Sequence, residues 1–579
     1  MIRHIVLGLL LLTCWKSEGA AADPVTAERF ARRWVYVHPG FNLQRDDQAD
    51  QLIELINRAR KAGYNGVSIG TNRLQLLQIE QPQSYYENTE RVRKAAEEAG
   101  IELIPRVMSI NGYSNDLLSN NPHLAPAMPV RDCLLQVRNG KATVASTENL
   151  TPGGSFEKFS RPNRPDGWDW LDAPGDVSFE DRDVRHSGEA SIRLEHFETA
   201  TTHGNCRLFR KLTLKPWHQY HLVAWIKTED VQRASTIGVQ VHGNVDQKKR
   251  LNLQKRSIDV RSTQDWTEHH AVFNTLDNSE VWLYIGGWQP GGGKLWIDDV
   301  SLHEVAGINL LRRDGCPVRV TSEDGSNHYE EGRDFVRWEY PAMGRAGRPG
   351  RYEIAHPQPP IVLTGTSEIR DGQKLKVSYY HTQMHMDSGV GVCLSHDDVF
   401  NYLQQHLEKV HQLYRPKTYI MHQDEIRMGG WCELCNRPGV STGQVLAQCT
   451  SRCAGIIRKL DPEAEIVVWN DMFDPFHNAV DDYWLTRGTM KGSWDGLAKD
   501  ILISNWNQSR SEPSLKFFAG RGHRQIIATY YDRGANWKNV VNAWLDAAKD
   551  IPDVDGIMYT TWSNNYDDLE EFLQLVNSR

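Results

Sequence analysis

The feature that most constrains this chain is an alternation of strand-like and helix-like stretches that begins near residue 34, stops near residue 149 and resumes near residue 375. Trp34-Val35-Tyr36-Val37-His38 reads as a strand, and Gln48 to Lys61 carries apolar residues at helical spacing. Gly66 to Ile69 is a second strand, Glu87 to Ala99 a second helix and Ile101 to Arg106 a third strand. Strand, helix, strand at this spacing implies βαβ units and a parallel sheet, because the crossover helix must pack back onto the strands it joins.

Between residues 149 and 304 the helical period disappears. Short alternating strands follow one another, as in Tyr220 to Ile226 and Val281 to Ile285, and many short strands between turn residues indicate a β-sandwich. Residues 307–369 are less regular and rich in Arg, Gly and Pro, and Arg351 to Leu363 is expected to pair with the Met128 to Val144 region as a frame for the insert. The alternation then returns, with strand candidates at Leu375–His381, Thr418–His422, Ile466–Asn470, Ile501–Trp506, Gln525–Tyr531 and Asp555–Trp562, and helices at Asp397–Tyr414 and Thr442–Leu460. Nine strands thus compete for the eight places of a (β/α)8 barrel, and Leu375–His381 is the weakest claimant. The expected α/β fold is a TIM barrel in two parts, residues 30–145 and 370–579, interrupted by a sandwich at 149–304 and a framing segment at 307–369.

Residues 1–22 read as a secretory leader, with Arg3 and His4, an apolar stretch from Ile5 to Leu12 and small residues up to Ala22. A secreted or periplasmic location follows as an expectation, a lipoprotein being the less favoured variant on Leu12-Thr13-Cys14. No later segment approaches 18 consecutive apolar residues, so no membrane span is expected. The 579 residues carry a net charge of −8 with both signs mixed and no Lys/Arg run, which argues against a nucleic-acid partner. No cofactor is expected. Nineteen Trp against 15 Phe is a ratio suited to flat rings that stack on something wet, as sugar-binding surfaces require.

Of the eight cysteines beyond the leader, Cys432, Cys435, Cys449 and Cys453 are clustered. Their spacing allows a small structural zinc site, but in an oxidising compartment local disulfides, or else free thiols, are the favoured reading. No metal is assigned to the chemistry. A ligand set of His381, His422, Asp424 and His477 lacks any recognised metal-binding spacing.

Catalytic groups of such barrels lie at the C-terminal strand ends. Here those ends carry His38, Arg106, Tyr380, His381, His422, Asp424, Glu425, Trp469, Asp471, Trp506, Asn507, Tyr530, Tyr531 and Trp562. Aromatic platforms with carboxylates and amides between them suit a pyranose, and an oligo- or polysaccharide is the expected partner. Asp424-Glu425 is the sharpest element. Two adjacent carboxyls repel, so one tends to keep a proton near neutral pH, which is what protonating a glycosidic oxygen requires.

Two family resemblances add to this reading. Asn149 to Glu157, His186 to Leu194 and Leu295 to Leu302 resemble the jelly-roll carbohydrate-binding modules of secreted glycosidases. Asp424-Glu425 at a strand end and Trp562 on the last strand resemble the family 20 hexosaminidases and their substrate-assisted relatives. That second resemblance implies Glu425 as general acid/base, Asp424 orienting a 2-acetamido group that acts as nucleophile, and Tyr530 or Tyr531 bonding the acetamido oxygen. The family's two glycines before the Asp-Glu pair are missing, since His422-Gln423 precedes it directly. Two alternatives stay open. One pairs Glu425 with Asp471 on non-acetamido sugars, where about 5–5.5 Å between carboxyls fits retention and about 6.5–9.5 Å inversion. The other is a non-catalytic polysaccharide-binding protein.

Overall fold

The computed structural model describes residues 29–70, 73–245, 250–340, 358–386 and 389–579; the leader at 1–22 and Arg351 to Pro357 lie outside them. Eight parallel strands close into a barrel. They are β1 (Arg32–Tyr36), β2 (Gly66–Ile69), β3 (Glu102–Val107), β4 (Thr418–Met421), β5 (Glu465–Trp469), β6 (Leu502–Asn505), β7 (Gln525–Tyr530) and β8 (Val554–Thr560). Side chains alternate across this wall. Trp34, Tyr36, Ile104, Ile420, Val467 and Trp469 fill the interior, while Val35, Val37, Val468 and Ile503 pack outward against the helices.

The full (β/α)8 alternation is not kept. Helices follow β1 (α1, Asp46–Ala62) and β2 (α2, Gln83–Ala99), and α3 (Asp397–Tyr414) precedes β4. Further helices follow β4 (α4, Thr442–Leu460), β6 (α5, Ser511–Gly520), β7 (α6, Trp537–Ala547) and β8 (α7, Leu569–Asn577). After β5 the described residues hold only the short 3-10 turns Asp471–Phe473 and Ser493–Gly496. That excursion instead runs beside the loop after β4, where Met428–Gly429 pairs in parallel with Leu485–Thr486.

The ninth strand candidate lies outside the barrel. Lys374–His381 sits in a six-stranded sheet between Arg319–Ser322 and Met128–Arg138, with Lys141–Val144, Ile361–Val362 and His328–Tyr329 completing it. Its burial alternates residue by residue, as befits an antiparallel strand with one covered face, whereas β4 is buried throughout. The expected frame is present in part, since Ile361 and Val362 pair with Ala142 and Lys141. The stretch expected to be a mere frame thus shares a sheet and a core, with Val130, Leu135, Trp338, Phe335 and Tyr379, with strands assigned to the barrel.

The insert is two five-stranded antiparallel sheets packed on a common core. Of its eight Trp, Trp168 and Trp296 are buried and Trp170, Trp217, Trp225, Trp266, Trp282 and Trp288 are half-buried. The same core takes in Met428 and Leu485 of the barrel loops, and Trp217 meets Trp431 edge to face at 5.7 Å. Each such apolar side chain stabilises by about 1.5–3 kcal/mol when fully buried. Deleting residues 149–304 is therefore expected to lower the melting temperature of the remainder sharply; calorimetry showing an unchanged, cooperative melt would contradict this seam.

Candidate active site

A cavity of about 910 Å³ opens at the C-terminal ends of the strands. Its floor is set by two inward residues, Tyr36 of β1 and Trp469 of β5, whose rings meet at 68° with centroids 5.8 Å apart. Arg106 of β3 is buried beside them. Its guanidinium lies 4.6 Å from the Tyr36 ring centre, donates to the Tyr36 hydroxyl, and reaches the Val37 carbonyl at 3.1 Å. The backbone at Gly70 makes this possible, because a Cβ there would fall 1.1 Å from the Arg106 guanidinium.

The loop after β3 runs beside the loop after β4. Ile110 N–H donates to the His422 carbonyl and Gly112 N–H to that of Asp424, each at 3.1 Å. A Cβ on Gly112 would meet the Glu425 carbonyl oxygen at 2.2 Å, so only glycine lets the two loops close. Glu425 itself has φ of +52°, a left-handed conformation that costs a non-glycine residue about 1–3 kcal/mol and is found where the surroundings over-determine it. Here the determinant is Asp471, whose Oδ2 accepts from the Glu425 N–H at 2.8 Å and from Asn478 at 2.9 Å.

Asp424 and Glu425 both line the cavity, with side chains 17% and 28% exposed. Glu425 forms a 2.7 Å ion pair with Arg427, which also donates to the Tyr113 hydroxyl at 3.0 Å. Asp424 is different. Burial, then the neighbouring Glu425 charge, pushes its carboxyl well above the usual range, and burial followed by the Asp424 charge does the same to Asp471. Such carboxyls titrate as a unit, so the cluster keeps a proton near neutral pH. Burial and the Arg106 charge push His38 down to about 4 and His422 to about 3, leaving both rings neutral, so the 3.2 Å approach of His422 Nε2 to Asp424 Oδ1 is not an ion pair there.

The mouth is aromatic. Trp562, 43% exposed, contacts the rings of Tyr36, His38 and Tyr531 at 5.2, 5.6 and 5.9 Å. Asp532 holds it there by accepting from the N–H groups of Trp562 and Ser563 and from Thr561 Oγ1. Trp506 and Asn507 line the far wall. Four buried polar atoms of lining residues have no hydrogen-bond partner in the protein: His38 Nδ1, Ser109 Oγ, Asp424 Oδ1 and the Tyr531 hydroxyl.

The structure thus brings together His38, Arg106, His422, Asp424, Glu425, Trp469, Trp506, Asn507, Tyr531 and Trp562. Asp471 lies beneath the pair rather than in the cavity wall. Tyr530 does not belong: positive φ at Tyr530, Tyr531 and Asp532 breaks the strand alternation, so Tyr530 turns outward, stacks on Tyr559 at 4.1 Å and bonds Asp568. Tyr380 and His381 do not belong either, because their strand is outside the barrel; His381 is buried at the insert, bonded to Gln219 and Asn274. The metal set drawn from His381, His422, Asp424 and His477 is therefore not assembled. Sequence reasoning missed Tyr36, Ser109, Asn111, Tyr113 and Arg533 as lining residues, while the Arg427 partner of the carboxyl pair was foreseeable from its place two residues on. The Asn111-Gly112 turn signal was present, but nothing in the sequence tied it to the Asp424 loop.

No family model matches the chain, and no curated protein sequence matches it. Among solved structures it is similar to a Family 16 Carbohydrate Binding Module-2, at 22% identity over 27% of this chain and 100% of that one, with a TM-score of 0.20. It is similar to the CBM22-1 xylan-binding domain from Paenibacillus barcinonensis Xyn10C, at 12% identity over 27% of this chain and 95% of that one, TM-score 0.20. It is also similar to the beta-N-acetylhexosaminidase from Bacteroides fragilis NCTC 9343, at 17% identity over 32% of this chain and 40% of that one, TM-score 0.23. These partial likenesses do not bear on activity.

A carboxyl held above its ordinary value opposes folding once it must ionise; the cost is absent below about pH 4 and grows as the pH climbs towards the raised value. Asp471→Asn keeps an acceptor for the Glu425 N–H and removes that cost. Its melting temperature is expected to exceed wild type by a few degrees in mildly alkaline buffer and to match it near pH 4, as read by thermal melts across pH. A gain confined to acid pH would contradict the raised value.

Proposed function

We propose that the protein is an exported glycoside hydrolase acting on an oligo- or polysaccharide through the Asp424–Glu425 pair. The observation that carries this reading is the cavity's combination of exposed indole, proton-holding carboxyls and four unpartnered buried polar atoms. Buried polar groups are ordinarily hydrogen-bonded, so four without a partner in residues lining one pocket mark a wall whose polar groups a hydroxyl-rich ligand could satisfy on a small rearrangement. Trp562 supplies a face for the C–H side of a sugar ring.

In this reading Glu425, the outer carboxyl, is the acid/base and delivers to the glycosidic oxygen the proton that the adjacent Asp424 carboxyl holds while Glu425 is paired with Arg427. Asp424, the inner one, lines the cavity and orients the sugar, and the mutual repulsion of the carboxyls keeps a proton available near neutral pH. Asp471 acts as a positioning residue, since its Oδ2 is committed to the Glu425 N–H and Asn478. This favours the adjacent pair over the Glu425–Asp471 alternative. The unpartnered Tyr531 hydroxyl near Asp424 supports a 2-acetamido sugar, whose carbonyl oxygen it would bond during substrate-assisted attack. An exported location follows from the leader alone.

Glu425→Gln is expected to lower turnover of aryl glycosides at least about 100-fold, the usual worth of a general acid, while leaving the melting temperature and glycan-induced Trp quenching intact. Near-normal turnover would sink the assignment, and glycan binding without turnover in wild type would support the non-catalytic reading. With acetamido assistance, a thiazoline mimic of the cyclised sugar inhibits; indifference to it restricts the reading to plain sugars.

A further inference from the structure

Every cysteine of the described residues is a free, buried thiol, but they are not evenly spread. Cys449 and Cys453, expected to join Cys432 and Cys435, lie one turn apart on α4 and hydrogen-bond each other as thiols, with Cys449 also near Cys393. The partner of Cys432 and Cys435 is instead Cys393, in the segment leading into α3. Its Sγ lies 3.7 Å from that of Cys432 and 3.8 Å from that of Cys435, and all three sulfurs fall within 4.8 Å of one another.

Those separations have a meaning. Zinc–sulfur bonds of about 2.3 Å at tetrahedral angles place the sulfurs about 3.8 Å apart. The backbone is also shaped for an ion. Cys435 N–H and Asn436 N–H both donate to the Cys432 carbonyl, at 2.9 and 2.7 Å, in a tight Cys-x-x-Cys turn, and the Cys435 N–H also points at the Cys432 sulfur. Cys316 stands on the turn opened by Arg313, whose buried guanidinium contacts the Cys432 sulfur and bonds the carbonyls of His123 and Ala125. Glu433 N–H donates to Gly315, and Cys393 N–H to Leu124. Four chain segments, around residues 124, 315, 393 and 433, therefore meet at one buried knot of sulfur.

A second buried trio, Cys133, His218 and Glu304, resembles this only in composition. Glu304 already bonds His218 at 2.6 Å and Lys215 at 2.9 Å, so its charge is satisfied without a metal.

We propose that Cys393, Cys432 and Cys435 bind a zinc ion as thiolates, with Cys316, whose sulfur lies near those of Cys432 and Cys393 but outside their 4.8 Å group, drawn in as the fourth donor. Binding exchanges the thiol protons for metal–sulfur bonds and releases them to solvent, with no change of oxidation state. The ion staples the loop after β4, which carries Asp424 and Glu425, to segments on either side of the inserted sheets. Its role is structural, because four protein donors leave no open position.

The test is the metal content of the full chain purified from zinc-supplemented medium, by elemental mass spectrometry. About one zinc per chain is expected, released when a mercurial blocks the thiols. Cys393→Ser and Cys432→Ser are expected to lose the metal and Cys449→Ser to keep it. Should the first two fail to fold, cobalt exchanged into the wild-type chain reports the same ligands through a thiolate-to-cobalt charge-transfer band. Absence of stoichiometric metal overturns the proposal. So does an intact mass lowered by the two hydrogens of a disulfide that peptide mapping places among these cysteines, or zinc that persists undiminished in folded Cys393→Ser.

Discussion

Two residue pairs hold this architecture together. Arg106 stands beside Ile420 and Val107 beside Met421, and through them β3 meets β4 after the chain has made two further sheet systems in between. Without that seam the barrel is open and Arg106 has no neighbour in His422 or Asp424. The seam continues beyond the strands, where Ile110 and Gly112 donate to the carbonyls of His422 and Asp424, so the ladder that closes the barrel also sets the backbone of the candidate acid pair. The insert is thereby joined to the site it interrupts. Its core takes in Met428 and Leu485, which belong to the loops carrying Glu425 and Asp471.

The electrostatics follow from that enclosure. Asp424, Asp471 and Glu425 lie close enough to feel one another's charge in a poorly hydrated space, with Arg427 paired to Glu425 and Arg106 bonded to neutral oxygens. Three ionised carboxyls against this background would be costly, and retaining a proton relieves the cost. The unpartnered oxygen and hydroxyl groups around them are a second cost of the unliganded state, one that a polyhydroxylated ligand would relieve. The left-handed backbone at Glu425 is a third, and concentrating such costs at one cavity is what a preorganised site looks like.

Much of this was legible in the sequence. The eight barrel strands follow from their alternation with helices, and the bounds of α3 and α4 coincide with the apolar periodicity, the latter beginning on a Ser441–Gln444 capping box. The place of Lys374–His381 outside the barrel, expected of the weakest claimant, has a readable signal, since its alternation of Lys and Ser with Leu, Val and Tyr marks a half-buried antiparallel strand; only the counting of Tyr380 and His381 among the barrel strand ends was wrong. Tyr530 was not legible, because the positive φ that turns it outward comes from the packing of the whole strand end rather than from a glycine. Nor was the cysteine grouping, since spacing along the chain ties Cys432 to Cys449, while folding brings Cys393 to it from before α3.

The central claim is that the barrel cavity, and not only the sandwich, holds a sugar. A crystal structure of the Glu425→Gln chain soaked with chitobiose or cellobiose tests it most directly. The account predicts a pyranose ring against Trp562 with hydroxyl or acetamido groups on Asp424 and Tyr531. Sugar found on the sandwich alone, with the barrel cavity empty at saturating ligand, would contradict it.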